Sequence, residues 1–141
     1  MAIVVGVLVS IWVMHVGTDP EGLWLTVEAP DSVQMGETFK LVVKATNRSL
    51  DRDIKLGDLD ITDDYLKGFA IVSISPSPKS NEIDTFNDCT TMRFETTVPP
   101  GETAEFQFDL RAELSGRHRG QIDQYVGMQF VSTVMQTTVR R

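Results

Sequence analysis

The sequence predicts an all-β protein, an antiparallel sandwich of seven to eight short strands preceded by an N-terminal hydrophobic helix. Three observations predict the sandwich. Apolar residues recur at every second position through most of the chain after residue 22, prolines and glycines fall between those runs, and no segment of helical period is long enough to cross over between parallel strands.

The first 17 residues, MAIVVGVLVSIWVMHVG, hold none of the 13 basic and 20 acidic residues of the chain. Such segregation is what a membrane-inserted segment followed by a water-exposed domain shows, because a charge in hydrocarbon costs several kcal/mol. As a helix the run would reach roughly 25 Å, slightly short of a hydrocarbon core of roughly 30 Å. It reads as a signal-anchor, or as the tail of a longer transmembrane helix. No Lys or Arg precedes Ile3 and no small-residue cleavage site precedes the turn at 17–22, which favours an anchor over a cleaved signal peptide. A buried strand or core helix is the alternative.

Residues 23–141 form the second expected unit, the sandwich itself. The clearest strand is 103–114, where Ala104, Phe106, Phe108, Leu110, Ala112 and Leu114 alternate with Glu105, Gln107, Asp109, Arg111 and Glu113. Only a half-buried strand sorts residues in this way. Residues 38–46 repeat the pattern with Phe39, Leu41, Val43 and Ala45 on one side. Further strands are expected at 23–29, 54–61, 69–75, 91–98, 120–126 and 129–139, with a long polar loop at 75–90. Pro30, Pro76, Pro78, Pro99, Pro100, Gly36, Gly101, Gly116 and Gly120 fall between them, where a missing donor or a positive φ does no harm. The spacing suits an immunoglobulin-like sandwich lacking the antibody-type core pair, since Cys89 has no second cysteine to join.

The stretch GDLDITDDYLKGF, residues 57–69, gathers Asp58, Asp60, Thr62 and Asp64 at alternate positions and raises the question of calcium. An EF-hand loop needs Gly at its sixth position and Glu at its twelfth. Counting from Asp58, those places hold Asp63 and Phe69, so that reading fails. The residues instead describe a strand with Asp58 and Asp60 facing outward. It runs into one helical turn capped at Thr62 or Asp63, with Asp63 and Asp64 in the first turn, Tyr65, Leu66 and Phe69 turned inward and Gly68 at the end. Acids that alternate along a strand are spaced rather than convergent, so no metal site is expected; a weak surface calcium site is the alternative.

No other motif promises catalysis or a cofactor. A thiol enzyme would need a histidine beside Cys89, and the two histidines, His15 and His118, lie in the apolar run and in the Arg117-His118-Arg119 cluster. Nothing in the spacing joins them, and the same dispersion argues against structural zinc. The Arg-His-Arg cluster between Gly116 and Gly120 reads as a solvated turn. A net charge of −7 argues against nucleic acid as a partner. Asn47-Arg48-Ser49 matches the glycosylation sequon.

Four segments together carry a resemblance: P-x-x-V-x-x-G-E-x-F-x-L-x-V-x-x-x-N from Pro30 to Asn47, LGDLDITDDYLKGFAI followed by Ser75-Pro76, VPPGET at 98–103, and G-x-I-D from Gly120 to Asp123. Over about residues 24 to 139 the chain resembles the extracytoplasmic immunoglobulin-like domains of bacterial envelope proteins, in particular the CARDB-like group. The resemblance implies a module held by one N-terminal transmembrane helix, sometimes with a signalling domain on the cytoplasmic side, and it brings no catalytic motif. The expected function is therefore a non-enzymatic, membrane-tethered module for interaction, adhesion or spacing, displayed outside the cytoplasm with another envelope or cell-surface protein as partner. The alternative is a sensory ectodomain whose signal passes to a cytoplasmic part, for example a kinase.

Overall fold

The computed structural model describes residues 9–12, 20–84 and 87–141. In chain order the strands are β1 (Val9–Trp12), β2 (Leu23–Pro30), β3 (Ser32–Gln34), β4 (Thr38–Asn47), β5 (Ile54–Lys55) and β6 (Asp58–Thr62), followed by a single helical turn, α1 (Asp63–Leu66). There follow β7 (Phe69–Ser75), β8 (Ser80–Asp84), β9 (Cys89–Arg93), β10 (Thr97–Val98), β11 (Thr103–Ala112), β12 (Gly116–Val126) and β13 (Gln129–Arg140). One sheet has the order β1-β2-β4-β11-β7, the other β3-β13-β12-β6-β9-β8, and β5 and β10 form a short ribbon. The result is a β-sandwich.

Alternation explains the packing. On β11, Phe106, Phe108, Leu110 and Ala112 are buried, and on β4 so are Phe39, Leu41, Val43 and Ala45; Phe108 lies opposite Leu41 across the ladder. Leu23, Leu25 and Val27 of β2 complete that inner face, and Leu59, Ile61, Met92, Ile122, Val131 and Met135 of the second sheet close over it. Phe94 packs on Phe106 with ring centroids 4.3 Å apart. Burying a large aliphatic or aromatic side chain contributes about 1.5–3 kcal/mol, so this two-sided apolar layer is the main reason the sheets stay together.

The structure corrects several expectations. At Val9–Trp12 the chain is a strand paired with β2, not part of a helix, because the outer edge of β2 offers unpaired backbone groups that a neighbouring extended segment can satisfy. The rest of the expected 1–17 segment lies outside the described residues. Among the described residues no helix is long and apolar enough to cross a membrane. Nine strands of five or more residues and four shorter ones are described, against the seven to eight expected. The pairing of β3 with β13 is parallel, an exception to the antiparallel plan.

Part of the expected polar loop at 75–90 is strand. Among the described residues β8 pairs with β9 alone, from Ser80 opposite Arg93 to Asp84 opposite Cys89. An edge strand needs no apolar alternation, so its sequence looks like a loop. The 91–98 segment divides into β9 and β10 around Glu95, whose φ of 53° interrupts the ladder. The 54–61 segment likewise divides into β5 and β6. Leu114, expected as the last inward residue of β11, lies beyond the end of that strand and is exposed.

The Arg-His-Arg cluster is not a turn. It lies within β12, where Arg117 and Arg119 face solvent and His118 is buried, its ring 5.3 Å from that of Phe69 and its Nε2 2.7 Å from the Leu114 carbonyl oxygen. The flanking glycine at 120 answers a packing demand: a Cβ there would stand 2.3 Å from Thr62 Oγ1 and 2.6 Å from Tyr65 Cβ. Bare backbone is what lets α1 sit against β12. Thr62 is the helix N-cap by backbone geometry, but its hydroxyl accepts instead from the Gln121 amide at 2.8 Å, which joins the turn to β12. Tyr65, Leu66 and Phe69 are buried as the residue pattern implies, and the Tyr65 hydroxyl meets Thr137 Oγ1 at 2.9 Å.

Candidate functional site

The acidic stretch forms the floor of an open groove on the outer face of the second sheet. β6 is flanked by β9 and β12, and its outward residues therefore have neighbours on both sides. Asp58 lies opposite Arg93, Asp60 opposite Thr91 on one side and Asp123 on the other, and Thr62 opposite Cys89. The groove has a volume of about 510 Å³, with walls from Lys55, Leu56, Gly57, Thr91, Arg93, Glu95, Tyr125 and Gly127 around Asp58 and Asp60.

The charges there are unequally satisfied. Arg93 donates to Asp58 at 3.0 Å. Lys79 donates to Glu95 at 2.6 Å, a bond that holds the Glu95 carboxyl below its usual range. Asp123 Oδ1 accepts from Ser132 Oγ at 2.5 Å and from Gln121 Nε2 at 2.8 Å. Asp60 differs. Its Oδ1 is buried and has no hydrogen-bond partner. Burial raises its affinity for a proton most and the carboxylates of Asp123 and Asp58 add to it, while hydrogen bonds to the carboxyl from Thr91 and Cys89 work against this.

Tyr125 forms the aromatic wall. Its ring stacks on Phe130 with centroids 5.1 Å apart, which fixes the side chain by a contact outside the groove. Burial and then the negative charges of Asp60 and Asp123 raise the pKa of its hydroxyl, so the phenol stays protonated at neutral pH. The backbone of Gly57, just before β6, ties that strand to β12 here. Its amide donates to the Tyr125 carbonyl at 2.8 Å, and a Cβ at Gly57 would stand 3.4 Å from that same oxygen.

The other residues singled out by sequence are not brought into one place. Asp63 and Asp64 belong to α1, where Asp63 Oδ1 accepts from Thr90 Oγ1 at 3.1 Å and Asp64 pairs with Lys67 at 3.3 Å. Cys89 is not in a loop but in β9; it is buried, with its Sγ 3.9 Å from Thr91 Oγ1. His118 faces the sandwich interior, on the opposite side of the sheet from Cys89, and His15 lies outside the described residues. No group of three or more His, Cys, Asp and Glu among the described residues is placed to hold a metal ion. Asn47 of the sequon is buried, and both hydrogens of its amide are engaged, with the carbonyls of Arg52 at 2.6 Å and Val98 at 2.8 Å.

Sequence reasoning missed Thr91, Arg93, Asp123 and Tyr125 as site residues. The alternation of Gln121, Asp123 and Tyr125 against Ile122 and Gln124 places Asp123 and Tyr125 outward, but only the order of strands in the sheet sets β12 beside β6.

No protein-family model matches the chain, and no curated protein matches it. Solved structures do. AvmM, which catalyses macrocyclization in alchivemycin A biosynthesis, is 11% identical with a TM-score of 0.56, over 92% of this chain and 95% of that one. The CARDB domain of the PF1109 protein from Pyrococcus furiosus, solved in complex with di-metal ions, is 13% identical with a TM-score of 0.54, over 89% of this chain and 95% of that one. A cohesin module from a Clostridium perfringens family 33 glycoside hydrolase is 10% identical with a TM-score of 0.46, over 82% of this chain and 95% of that one. At such identities the likeness is one of fold: the chain is a β-sandwich of the immunoglobulin-like kind, with a CARDB domain among its structural neighbours.

Proposed function

We propose that the chain is a non-enzymatic interaction module that binds a protein partner through the groove between β9, β6 and β12. The observation that carries this reading is an open groove of about 510 Å³ on the outer face of the sheet, with Asp60, Thr91 and Arg93 along it and the ring of Tyr125 held in place by Phe130. Three buried side-chain atoms among the described residues have no hydrogen-bond partner, Asp60 Oδ1, His118 Nδ1 and Gln124 Oε1, and of these residues only Asp60 lines the groove. A fold shared with both a CARDB domain and a macrocyclization catalyst does not choose between binding and catalysis, so the choice rests on the groove. Cys89 and His118 lie on opposite sides of their sheet, which supports binding over thiol catalysis.

The test is a photo-crosslinking amino acid placed at Thr91, within the groove, and separately at Lys40, on the outer face of the other sheet. The expected result in the native host is one discrete adduct from position 91 and none from position 40. No adduct at 91, or the same set at both positions, overturns the reading. Display outside the cytoplasm is a second part of the proposal, supported by the charge-free run from Met1 to Gly17. A reporter fused after Arg141 should read as exported, and activity of a cytoplasm-only reporter reverses it.

A further inference from the structure

We infer that one end of the sandwich docks on an anionic lipid surface. It is the end where the β3–β4 and β11–β12 turns meet the close of β13; there Met35 and Leu114 enter the headgroup layer while Arg117, Arg119 and Arg140 meet lipid phosphates. This docking is independent of the groove. It rests on the reading of the charge-free chain ahead of β1 as a membrane segment, and it adds how the domain stands against that membrane.

Hydrogen bonds fix which residues share this end. The Met35 amide donates to the Arg140 carbonyl at 2.8 Å, the Gly36 amide to the Ala112 carbonyl at 2.8 Å, and the Arg141 guanidinium to Ser115 Oγ at 3.3 Å. Met35 and Leu114 stand on the two turns so joined, and they are 42% and 49% exposed. The Thr138 amide donates to the Asp31 carbonyl at 2.9 Å, which brings the close of β2 to the same end. Val9 enters β1 there, opposite Pro30, and is exposed. The residues ahead of it, MAIVVGVL at 1–8, include no charged side chain. An apolar side chain on a turn tip gains by leaving water, and the stretch of sequence best suited to lipid leads into this end and not the other.

The charges select the kind of surface. Elsewhere cations are held by acids: Lys44 by Glu28, Lys79 by Glu95, Arg52 by Glu21 and Arg93 by Asp58. Arg117, Arg119 and Arg140 are exposed and make no ion pair or side-chain hydrogen bond among the described residues. Arg117 lies opposite Thr138 and Arg119 opposite Gln136, so with Arg140 they share the outer face of the second sheet beside the turns. The acids at this end are already engaged: Asp31 accepts from the Ser10 hydroxyl, Glu37 from the Gln34 amide at 2.8 Å and Glu113 from Arg111 at 2.8 Å. Guanidinium groups beside exposed apolar turns suit acidic lipid, where each basic residue contributes about fivefold to binding. A soluble polyanion would use the arginines and leave Met35, Leu114 and Val9 in water. A neutral protein surface would cover the turns and leave the arginines unanswered. Leu50 and Met128 are exposed at the opposite end, but there Arg52 pairs with Glu21 and Arg48 lies 3.7 Å from the centre of the Trp24 ring.

The test places an NBD fluorophore on the full chain through Met35→Cys and, separately, through Met128→Cys at the opposite end; the parent, whose Cys89 is buried, controls for stray labelling. Each is mixed with vesicles of phosphatidylcholine alone or of equal parts phosphatidylcholine and phosphatidylglycerol, both carrying a headgroup nitroxide lipid. Sedimentation reports association and quenching reports which end meets the lipid. On the anionic vesicles quenching at position 35 should exceed that at position 128 by about threefold or more, and raised salt should remove the difference. The combined change Arg117→Gln, Arg119→Gln, Arg140→Gln should remove it as well, with circular dichroism showing that the variant is folded. Equal quenching at the two positions overturns the inference. So does quenching at 35 that is as strong on neutral vesicles or that survives the arginine changes. A blue shift at position 35 without vesicles also overturns it: one that grows with chain concentration makes this end a contact with a second copy, and one produced by poly-glutamate makes it a polyanion site. Sedimentation separates the docking from the reading beneath it. A chain that sediments with vesicles while position 35 stays unquenched keeps the membrane segment and removes the docking, and a chain that sediments with neither kind of vesicle removes both.

Discussion

Asn47 offers the sharpest test of the structure, because its cost can be worked bond by bond. It ends β4, is fully buried, and uses its side chain three times: Nδ2 donates to the Arg52 carbonyl at 2.6 Å and to the Val98 carbonyl at 2.8 Å, while Oδ1 accepts from the Ser49 amide at 2.9 Å. These bonds tie β4 to the connection that follows it and to β10. At about 1 kcal/mol net per neutral hydrogen bond, Asn47→Ala should cost about 3 kcal/mol. For a domain of this size that corresponds to a fall in melting temperature of roughly 6–12 °C. Asn47→Asp is nearly isosteric, yet it should cost at least as much at neutral pH, since an oxygen replaces the donor that faced two carbonyls and a charge is buried. Urea unfolding followed by tryptophan fluorescence measures both. A cost below about 0.5 kcal/mol for Asn47→Ala, the range of an ordinary surface change, would refute the buried network. A milder effect from Asp than from Ala would refute the donor assignment. The same bonds bear on the sequon: a glycan on Nδ2 removes a hydrogen that the fold uses, so modification at Asn47 and this native arrangement exclude one another.

Phe108→Ala, at a fully buried position of β11, should cost about 3–5 kcal/mol in the same assay, against about 0.5 or less for the outward Gln107→Ala; equal costs would mean the strand is out of register. Gly120→Ala drives a Cβ into Thr62 and Tyr65 and should destabilise by about 1–3 kcal/mol or more, whereas Gly127→Ala meets no atom within 4 Å and pays only for its φ of 59°, about 1 kcal/mol. If Gly127→Ala is the worse of the two, the seat of α1 on β12 is wrong. Asp60 titrates above its ordinary value of about 4 because burial and neighbouring carboxylates disfavour its charge. The folded chain then holds the proton where the unfolded chain has released it. The stability this proton contributes is complete below about pH 4 and is lost as pH rises through the raised folded value, remaining flat above it. Asp60→Asn should therefore be more stable than the parent at neutral pH, with the gap closing as pH falls. A gap that does not change with pH, or a less stable Asn variant at pH 7, would refute the raised proton affinity of Asp60.

Alternation is a local property, and what depends on it was legible in the sequence. The inner faces of β4 and β11 follow from Phe39 to Ala45 and from Phe106 to Ala112, since water alone decides which side of a pleated strand is buried. The strand running into one turn at 58–66 was legible for the same reason, with Leu59 and Ile61 inward and Tyr65 and Leu66 turned under. Residues whose state depends on a distant neighbour were not. Ser80–Asp84 is a strand only because β9 pairs with it, and the Arg-His-Arg run is a strand only because β13 pairs with it and Phe69 of β7 gives His118 an apolar neighbour. Val9–Trp12 is extended because the edge of β2 is beside it. The groove belongs to this second kind. Asp60 looks in sequence like any solvated acid on a strand; it becomes a buried oxygen without a partner only when β12 brings Asp123 and Tyr125 to one side of it and β9 brings Thr91 and Arg93 to the other. A pattern of period two fixes which face of its own strand a residue occupies, but the identity of the adjacent strand is set by chain topology over sixty residues, and proton affinity, pairing and burial all depend on that neighbour.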